Sequence, residues 1–309
     1  MPPFTTTDFI WKNGELLPWD EARTHDSAHG LQYGTGVFEG LRSYDTTMGP
    51  AVFRLEPHMR RLLASAQFYE LDIPYTLEQL CAATLEVVRA NRLTASYIRP
   101  LVYFDSYSWA VWPQGSPVTT VIMAIPGRSY FEGDGAKSVR VTVSTIKRID
   151  ASVLPPNVKA CGHYTNSVRA VQEAIRRGFD DALLFNNKGD IAEGSGANLF
   201  VVRNGTVITN DISASILMGV TRDSVLTIAR DLELPVEIRP ISHQDVTMGD
   251  ELFFCGTAVE VMPIREVDVK PIGDGSPGPI TRRIQKTFYD AVQGRLPQYK
   301  SWLTPVGAD

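Results

Sequence analysis

The apolar residues of this chain follow two periods, and the switches between them mark its elements. Spacing of three to four marks a helix. Met59, Leu62, Leu63, Ala66 and Phe68 keep that spacing over residues 55–69. Thr76 and Gln79 stand in the relation of a capping box, which starts a second helix that ends near Ala90. Three more helices are predicted: residues 166–177, stopped by Gly178; residues 221–232, with Thr221 as N-cap; and residues 279–293, with Pro279 in the first turn. Alternation of apolar and polar residues, or a short β-branched run, marks a strand. It places a hairpin over residues 9–17 with Asn13-Gly14 at its turn. A strand over 36–44 is broken at Gly49-Pro50 before 51–54 pairs back, and strands follow at 96–103 and 117–125. Further strands are predicted at 138–146, Asp181–Phe185, 189–192, Asn198–Arg203, Thr206–Thr209, 236–239, 251–255 and 259–267.

Helices interleaved with strands predict an α/β protein. Residues 1–125 read as a small N-terminal α/β domain, the glycine-rich residues 126–135 as a linker, and residues 136–309 as a larger C-terminal domain. The chain has 309 residues, enough for two cores. With 43% hydrophobic and 21% charged residues it reads as soluble and globular. A net charge of −5 gives no electrostatic reason to expect nucleic acid. The longest apolar run, residues 121–125, is too short to span a bilayer, so no membrane partner is expected. The first twelve residues lack a basic start followed by an apolar core, so no signal peptide is expected. Cys81, Cys161 and Cys255 are scattered and odd in number, which reads as reduced thiols in a cytoplasmic protein. The five histidines pair neither with one another nor with cysteine at metal-ligand spacing, so no metal is expected.

The candidate chemistry starts at Lys159, which sits between Val158 and Ala160 and before Cys161 and Gly162. Burial takes water from an ammonium and lowers its pKa. A neutral amine is a nucleophile, used chiefly to bond covalently to a carbonyl carbon. A lysine snorkelling from a loop fits the same stretch. Glu193 precedes Gly194, Ser195 and Gly196, small residues that let backbone approach a flat group, and the Asn198 amide can tie the loop together. A charged turn between two strands is the plain alternative. Gly219, Val220 and Thr221 open a helix whose N–H groups and hydroxyl make an anion site. Gly256, Thr257 and Ala258 form a small-residue turn after a strand, another piece from which phosphate cradles are built. Each piece alone is equally an ordinary cap or turn. Gly273, Gly275 and Gly278 spell Gly-x-Gly-x-x-Gly, but too few residues follow for the second strand and acidic residue of a dinucleotide site, and the run reads as a turn.

Seven motifs stand in order from about Asp8 to Leu303: Tyr33-Gly-Thr-Gly-Val-Phe-Glu-Gly40, Pro57-His-Met-Arg-Arg-Leu62, Ser96-Tyr-Ile-Arg-Pro100, Lys159, Glu193-Gly-Ser-Gly-Ala-Asn198, Gly219-Val-Thr-Arg222 and Gly256-Thr-Ala258. In them the chain resembles the class IV (fold type IV) pyridoxal-phosphate aminotransferases, with the bacterial branched-chain enzymes the most similar. The resemblance implies that the cofactor, pyridoxal 5′-phosphate, sits between the small and the large domain. Lys159 would bind it covalently and shuttle the proton, and Glu193 would face the pyridine nitrogen. Tyr164 would donate to the ring's phenolic oxygen. Arg61, in the frame His58-x-x-Arg61, would pair with the phosphate, leaving Arg60 outside the site. Val220, Thr221 and Thr257 would complete the phosphate cup, with Asn198 holding the Glu193 loop.

On the substrate side the resemblance implies that Tyr97 and the Thr257-Ala258 N–H groups meet the α-carboxylate. Arg99 shares a strand face with Tyr97 and would read the distal carboxylate of glutamate. Phe38 and Tyr130 would wall an apolar pocket, and Tyr33 would come from a neighbouring copy, which implies a homodimer at least. The implied reaction is ping-pong exchange between L-leucine, L-isoleucine or L-valine and 2-oxoglutarate. Two departures touch the substrate pocket: Trp109 and Trp112 stand in a loop that is glycine-rich in the branched-chain enzymes, and Gly127 replaces an aromatic residue. Exposed tryptophans also suit an interface. D-amino acid or (R)-amine aminotransferases and aminodeoxychorismate lyases are the same-fold alternatives.

Overall fold

The computed structural model describes residues 5–106, 108–127 and 138–307. The chain divides into two compact units, one of Met1–Arg128, Val158–Gly162 and Asp290–Asp309, the other of Ser129–Asn157 and His163–Tyr289. The sequence division put all of 136–309 in the second domain. Two short segments depart from it, because Val158, Ala160 and Val306 bury their side chains in the first unit's core.

The first unit begins with β1 (Phe9–Lys12), β2 (Glu15–Pro18), α1 (His29–Tyr33), β3 (Gly36–Phe38), β4 (Leu41–Thr46), β5 (Gly49–Phe53), α2 (Leu55–Phe68), α3 (Leu77–Ala90), β6 (Ser96–Phe104) and β7 (Val118–Pro126). The β1–β2 turn has Asn13 at φ 50° and Gly14 at φ 100°, the positive pair of a type I′ hairpin. The Thr76–Gln79 capping box forms, with both reciprocal hydrogen bonds, and fixes the start of α3. Helices α2 and α3 lay Met59, Leu62, Leu80 and Val87 into a core with Ile98, Val102 and Ile122 of the sheet. The predicted strand 36–44 is two strands. Glu39 turns its carboxylate inward, and at Gly40 a Cβ would overlap the Tyr97 hydroxyl.

The second unit holds β8 (Val139–Val143), α4 (Tyr164–Arg176), β9 (Asp181–Phe185), β10 (Ile191–Gly194), β11 (Asn198–Arg203), β12 (Thr206–Thr209), α5 (Val220–Asp231), β13 (Val236–Ile238), α6 (His243–Thr247), β14 (Glu251–Gly256), β15 (Glu260–Val267), β16 (Lys270–Pro271) and the start of α7 (Pro279–Val292). The last strand, β17 (Leu303–Pro305), pairs with β5 in the first unit. Among the described residues the second sheet runs β10-β9-β8-β15-β14-β11-β12-β13. Strand β8 pairs in parallel with β9 and β12 with β13, and α4 and α5 are the crossovers that parallel pairing demands. Thr221 is not the N-cap of α5: that position belongs to Gly219, and Thr221 is buried in the first turn. Strand β10 starts two residues later than predicted, so Glu193 lies within the strand, beside a register shift, and not in a turn.

Candidate active site

In the first unit, the segment carrying Lys159 is held as an extra edge against β3. Ala160 bridges Val37, the Phe38 N–H donates to the Lys159 carbonyl at 3.0 Å, and the Lys159 N–H donates to Ser65 Oγ of α2 at 3.2 Å. Both backbone groups are fixed by neighbours far away in sequence, which orders a lysine on a stretch with no regular structure. Lys159 is half-buried, less than its apolar neighbours imply, and its Nζ lies 4.9 Å from the Phe38 ring centroid.

Phe38 also supports Arg99, whose guanidinium lies 4.7 Å from the Phe38 ring and 5.3 Å from the Tyr97 ring. Arg99 Nη2 donates to the Tyr97 hydroxyl at 3.0 Å. The alternating burial of β6 puts both residues on one face. Arg99 Nε is buried with no acceptor among the described residues, which suits an anion that this site would receive.

Arg61 and Arg60 point in different ways, as the helical register of α2 dictates. Arg60 is exposed and paired with Glu56. Arg61 donates through Nε and Nη2 to the two oxygens of Glu39 at 2.6 and 2.9 Å, and His58 Nδ1 shares Glu39 Oε2 at 2.7 Å. Burial alone would raise the Glu39 pKa, but the Arg61 and His58 charges outweigh it and hold the carboxyl far below its usual range. Burial pushes the His58 pKa down against the pull of Glu39. A residue missed from the sequence, Glu39, therefore orients Arg61. The only hint was an acidic residue after the apolar pair Val37-Phe38.

Tyr33 is exposed, stacks on His29 at 4.5 Å and donates its hydroxyl to the Trp109 carbonyl at 2.8 Å. Trp109, Val111 and Trp112 are exposed. Tyr130 lies outside the described residues.

In the second unit the buried Glu193 carboxylate is a meeting point. Arg148 Nε donates to Oε1 at 2.8 Å, Asn198 Nδ2 donates to Oε2 at 3.0 Å, and the Leu217 N–H reaches both oxygens at 3.2 and 3.4 Å. Arg148 was not legible in the sequence: it sits in a loop without a period, 45 residues from its partner. Asn198 Nδ2 also donates to the Leu217 carbonyl at 2.8 Å. One residue after Met218, Gly219 opens α5 with no side-chain cap, and the first-turn N–H groups, among them those of Val220 and Thr221, have no acceptor within the helix. Arg222, in that turn, is buried with its Nε lacking an acceptor among the described residues. Thr257 and Ala258 are half-buried in the tight turn between β14 and β15, and Tyr164 is the half-buried first residue of α4.

The Gly-x-Gly-x-x-Gly run binds no phosphate by this geometry. The N–H groups of Ile280 and Thr281 at the start of α7 are taken by the Glu251 carboxylate at 3.0 and 2.6 Å. At Gly278 a Cβ would overlap that carboxylate, which explains the glycine without a nucleotide.

A model of the family Amino-transferase class IV matches residues 36–267. The chain is 39% identical to the branched-chain-amino-acid aminotransferase of Pseudomonas aeruginosa, covering 96% of this chain and 97% of that one. Its fold is similar to the crystal structure of the Escherichia coli branched-chain amino acid aminotransferase, with a TM-score of 0.95 and 36% identity over 98% of this chain and 100% of that one. It is also similar to the T.th. enzyme of the same name, complexed with N-(5′-phosphopyridoxyl)-L-glutamate, with a TM-score of 0.93 and 40% identity over 97% and 99% of the two chains.

Proposed function

The chain belongs to the class IV aminotransferases, and from that membership we propose that it exchanges amino groups between the branched-chain L-amino acids leucine, isoleucine and valine and 2-oxoglutarate, with pyridoxal 5′-phosphate as cofactor. One observation carries this reading. In the second unit the short segment over residues 217–219 joins a buried, multiply bonded carboxylate, Glu193, to the N-terminus of α5, which has no side-chain cap. A carboxylate suits a protonated ring nitrogen, and a helix N-terminus suits a phosphate. The buried Arg222 Nε, which lacks an acceptor among the described residues, fits an anion at the same turn.

When bound, the cofactor supplies a carbonyl carbon that takes up the amino group and a ring that draws electrons from the reacting carbon. Lys159 Nζ would hold it covalently, its amine condensing with the carbonyl carbon with loss of water, and the same amine would carry the proton taken from the substrate Cα. Glu193 holds the proton on the ring nitrogen, and Arg148 keeps its carboxylate in one orientation. Tyr164 donates to the phenolic oxygen. Arg61, oriented by Glu39, pairs with the phosphate, as do the N–H and hydroxyl groups of Val220, Thr221 and Thr257. Tyr97 and the N–H groups of Thr257 and Ala258 take the α-carboxylate, and Arg99 takes the distal carboxylate of glutamate. Phe38, Tyr130 and the partner subunit's Tyr33 wall the apolar pocket in a homodimer. The glutamate moiety in the T.th. complex supports glutamate and 2-oxoglutarate as the acidic pair.

Two measurements test the assignment together. Borohydride reduction of the yellow holoenzyme should fix the cofactor on Lys159, seen by peptide mapping. An amino-donor screen with 2-oxoglutarate should give turnover with L-leucine, L-isoleucine and L-valine and none with their D-enantiomers. Turnover confined to D-amino acids or (R)-amines would mean that Trp109, Trp112 and Gly127 have built a different pocket on the same fold.

A further inference from the structure

We propose that the ring-nitrogen end and the phosphate end of the cofactor site in the second unit form one coupled device, and that Asn198 is the positioning residue that couples them. The proposal rests on the reading of Glu193 and α5 given above. Asn198, nine-tenths buried at the start of β11, reaches both ends with one amide. Its Nδ2 donates to Glu193 Oε2 at 3.0 Å and to the Leu217 carbonyl at 2.8 Å, while the Leu217 N–H returns a bond to Glu193. Its Oδ1 occupies the space that a Cβ on Gly219 would need. Gly219 is the N-cap of α5, so the helix end that offers N–H groups to phosphate is wedged against the amide that aims the carboxylate.

A second brace runs beside the first. Arg222 in the first turn of α5 donates to the Asn210 carbonyl, and Asn210 Nδ2 donates to the carbonyls of Ile191 and Ala192, the residues just before Glu193. Every one of these side chains is buried. A buried polar network has few alternative arrangements, because an unmade bond leaves a desolvated group behind. Displacement of the α5 end therefore moves the Glu193 carboxylate, and the coupling is reciprocal.

The test crosses the two ends. Apoprotein is titrated with inorganic phosphate by thermal shift, and holoenzyme loaded with ring-¹⁵N pyridoxal phosphate is read by the ring-nitrogen chemical shift. Gly219→Ala, a change at the phosphate end, should move the ¹⁵N shift toward that of unprotonated pyridine. Asn198→Ser should weaken phosphate binding by about five-fold or more, the range of ordinary coupling energies. In Asn198→Ser/Gly219→Ala the added methyl finds space, so the double variant should bind phosphate no worse than Asn198→Ser alone. If Gly219→Ala fails to fold, Asn198→Ser and the double variant still carry the comparison. Phosphate affinity that changes only at Gly219, with a ¹⁵N shift that changes only at Asn198, would overturn the coupling. Wild-type protein that binds neither phosphate nor the cofactor would instead overturn the underlying reading.

Discussion

Arg99 holds Tyr97 in the structure, and in the proposed reaction it would also read a distal carboxylate. Its guanidinium lies against the Phe38 and Tyr97 rings and holds the Tyr97 hydroxyl, while its Nε is buried without an acceptor among the described residues. A charged hydrogen bond to a distal carboxylate is worth about 1.5–3 kcal/mol. Arg99→Ala should raise KM for 2-oxoglutarate by roughly ten-fold or more on that scale. It should raise KM for 2-oxoisocaproate much less, since an isobutyl group makes no ionic contact. Equal loss for both in steady-state assays would leave Arg99 only the duty of holding Tyr97. A different residue sets a pH dependence. Asp181 is buried in β9, and burial pushes its pKa up to about 6, against hydrogen bonds from Ser195 and the Ala182 N–H. A carboxyl whose folded pKa is raised favours the fold while protonated. That contribution is full below its unfolded pKa near 4 and is lost as pH rises through about 6. Asp181→Asn does not ionise, so its stability relative to wild type should improve by about 2 kcal/mol between pH 4 and pH 7. Denaturant midpoints at the two pH values check this, and a constant difference would refute it.

At the scale of elements, α7 shows how a helix end is decided by a partner from another element. The Glu251 carboxylate of β14 caps the helix through Ile280 N and Thr281 N and occupies the place of a Cβ at Gly278. Gly278→Ala should expel that carboxylate and cost about 2 kcal/mol or more, a lost cap plus a buried acceptor left unpaired. In a Glu251→Ala background the same Gly278→Ala change should cost little, because both act through one carboxylate. Additive losses of Tm in the double variant would show that the glycine serves something else. The same logic explains why Thr221 is not the cap of α5. The Asn198 amide excludes a side chain at position 219, and the helix starts on a bare glycine with no side-chain cap.

At the scale of the molecule, the proposed homodimer has a direct test. Tyr33 is exposed and bonded to the Trp109 carbonyl, and Trp109, Val111 and Trp112 are exposed. If the partner subunit's Tyr33 serves each site, then Lys159→Ala chains and Tyr33→Ala chains, each impaired alone, should regain activity when unfolded, mixed and refolded together. The hybrid restores one complete site per dimer. Refolded mixtures no more active than the separate variants, or a fully active monomer on sizing, would place Tyr33 outside the site.

Period and turn chemistry, which act within a few residues, determined much of this protein from sequence alone. The helical stripe of α2, the capping box of α3 and the Asn13-Gly14 hairpin are local, and the structure has them where the pattern puts them. Small or apolar company marked Lys159 and Glu193 as candidates, and the resemblance to the class IV aminotransferases supplied the roles expected of them. Tertiary structure alone decided what holds those groups. Lys159 is clamped by Phe38 and Ser65, Arg61 is aimed by Glu39, and Glu193 is met by Arg148. These partners lie 22 to 121 residues apart along the chain, where no periodicity links them. A buried ion pair costs desolvation unless its geometry is good, so only the packed fold, with both partners already in place, makes such a pair favourable.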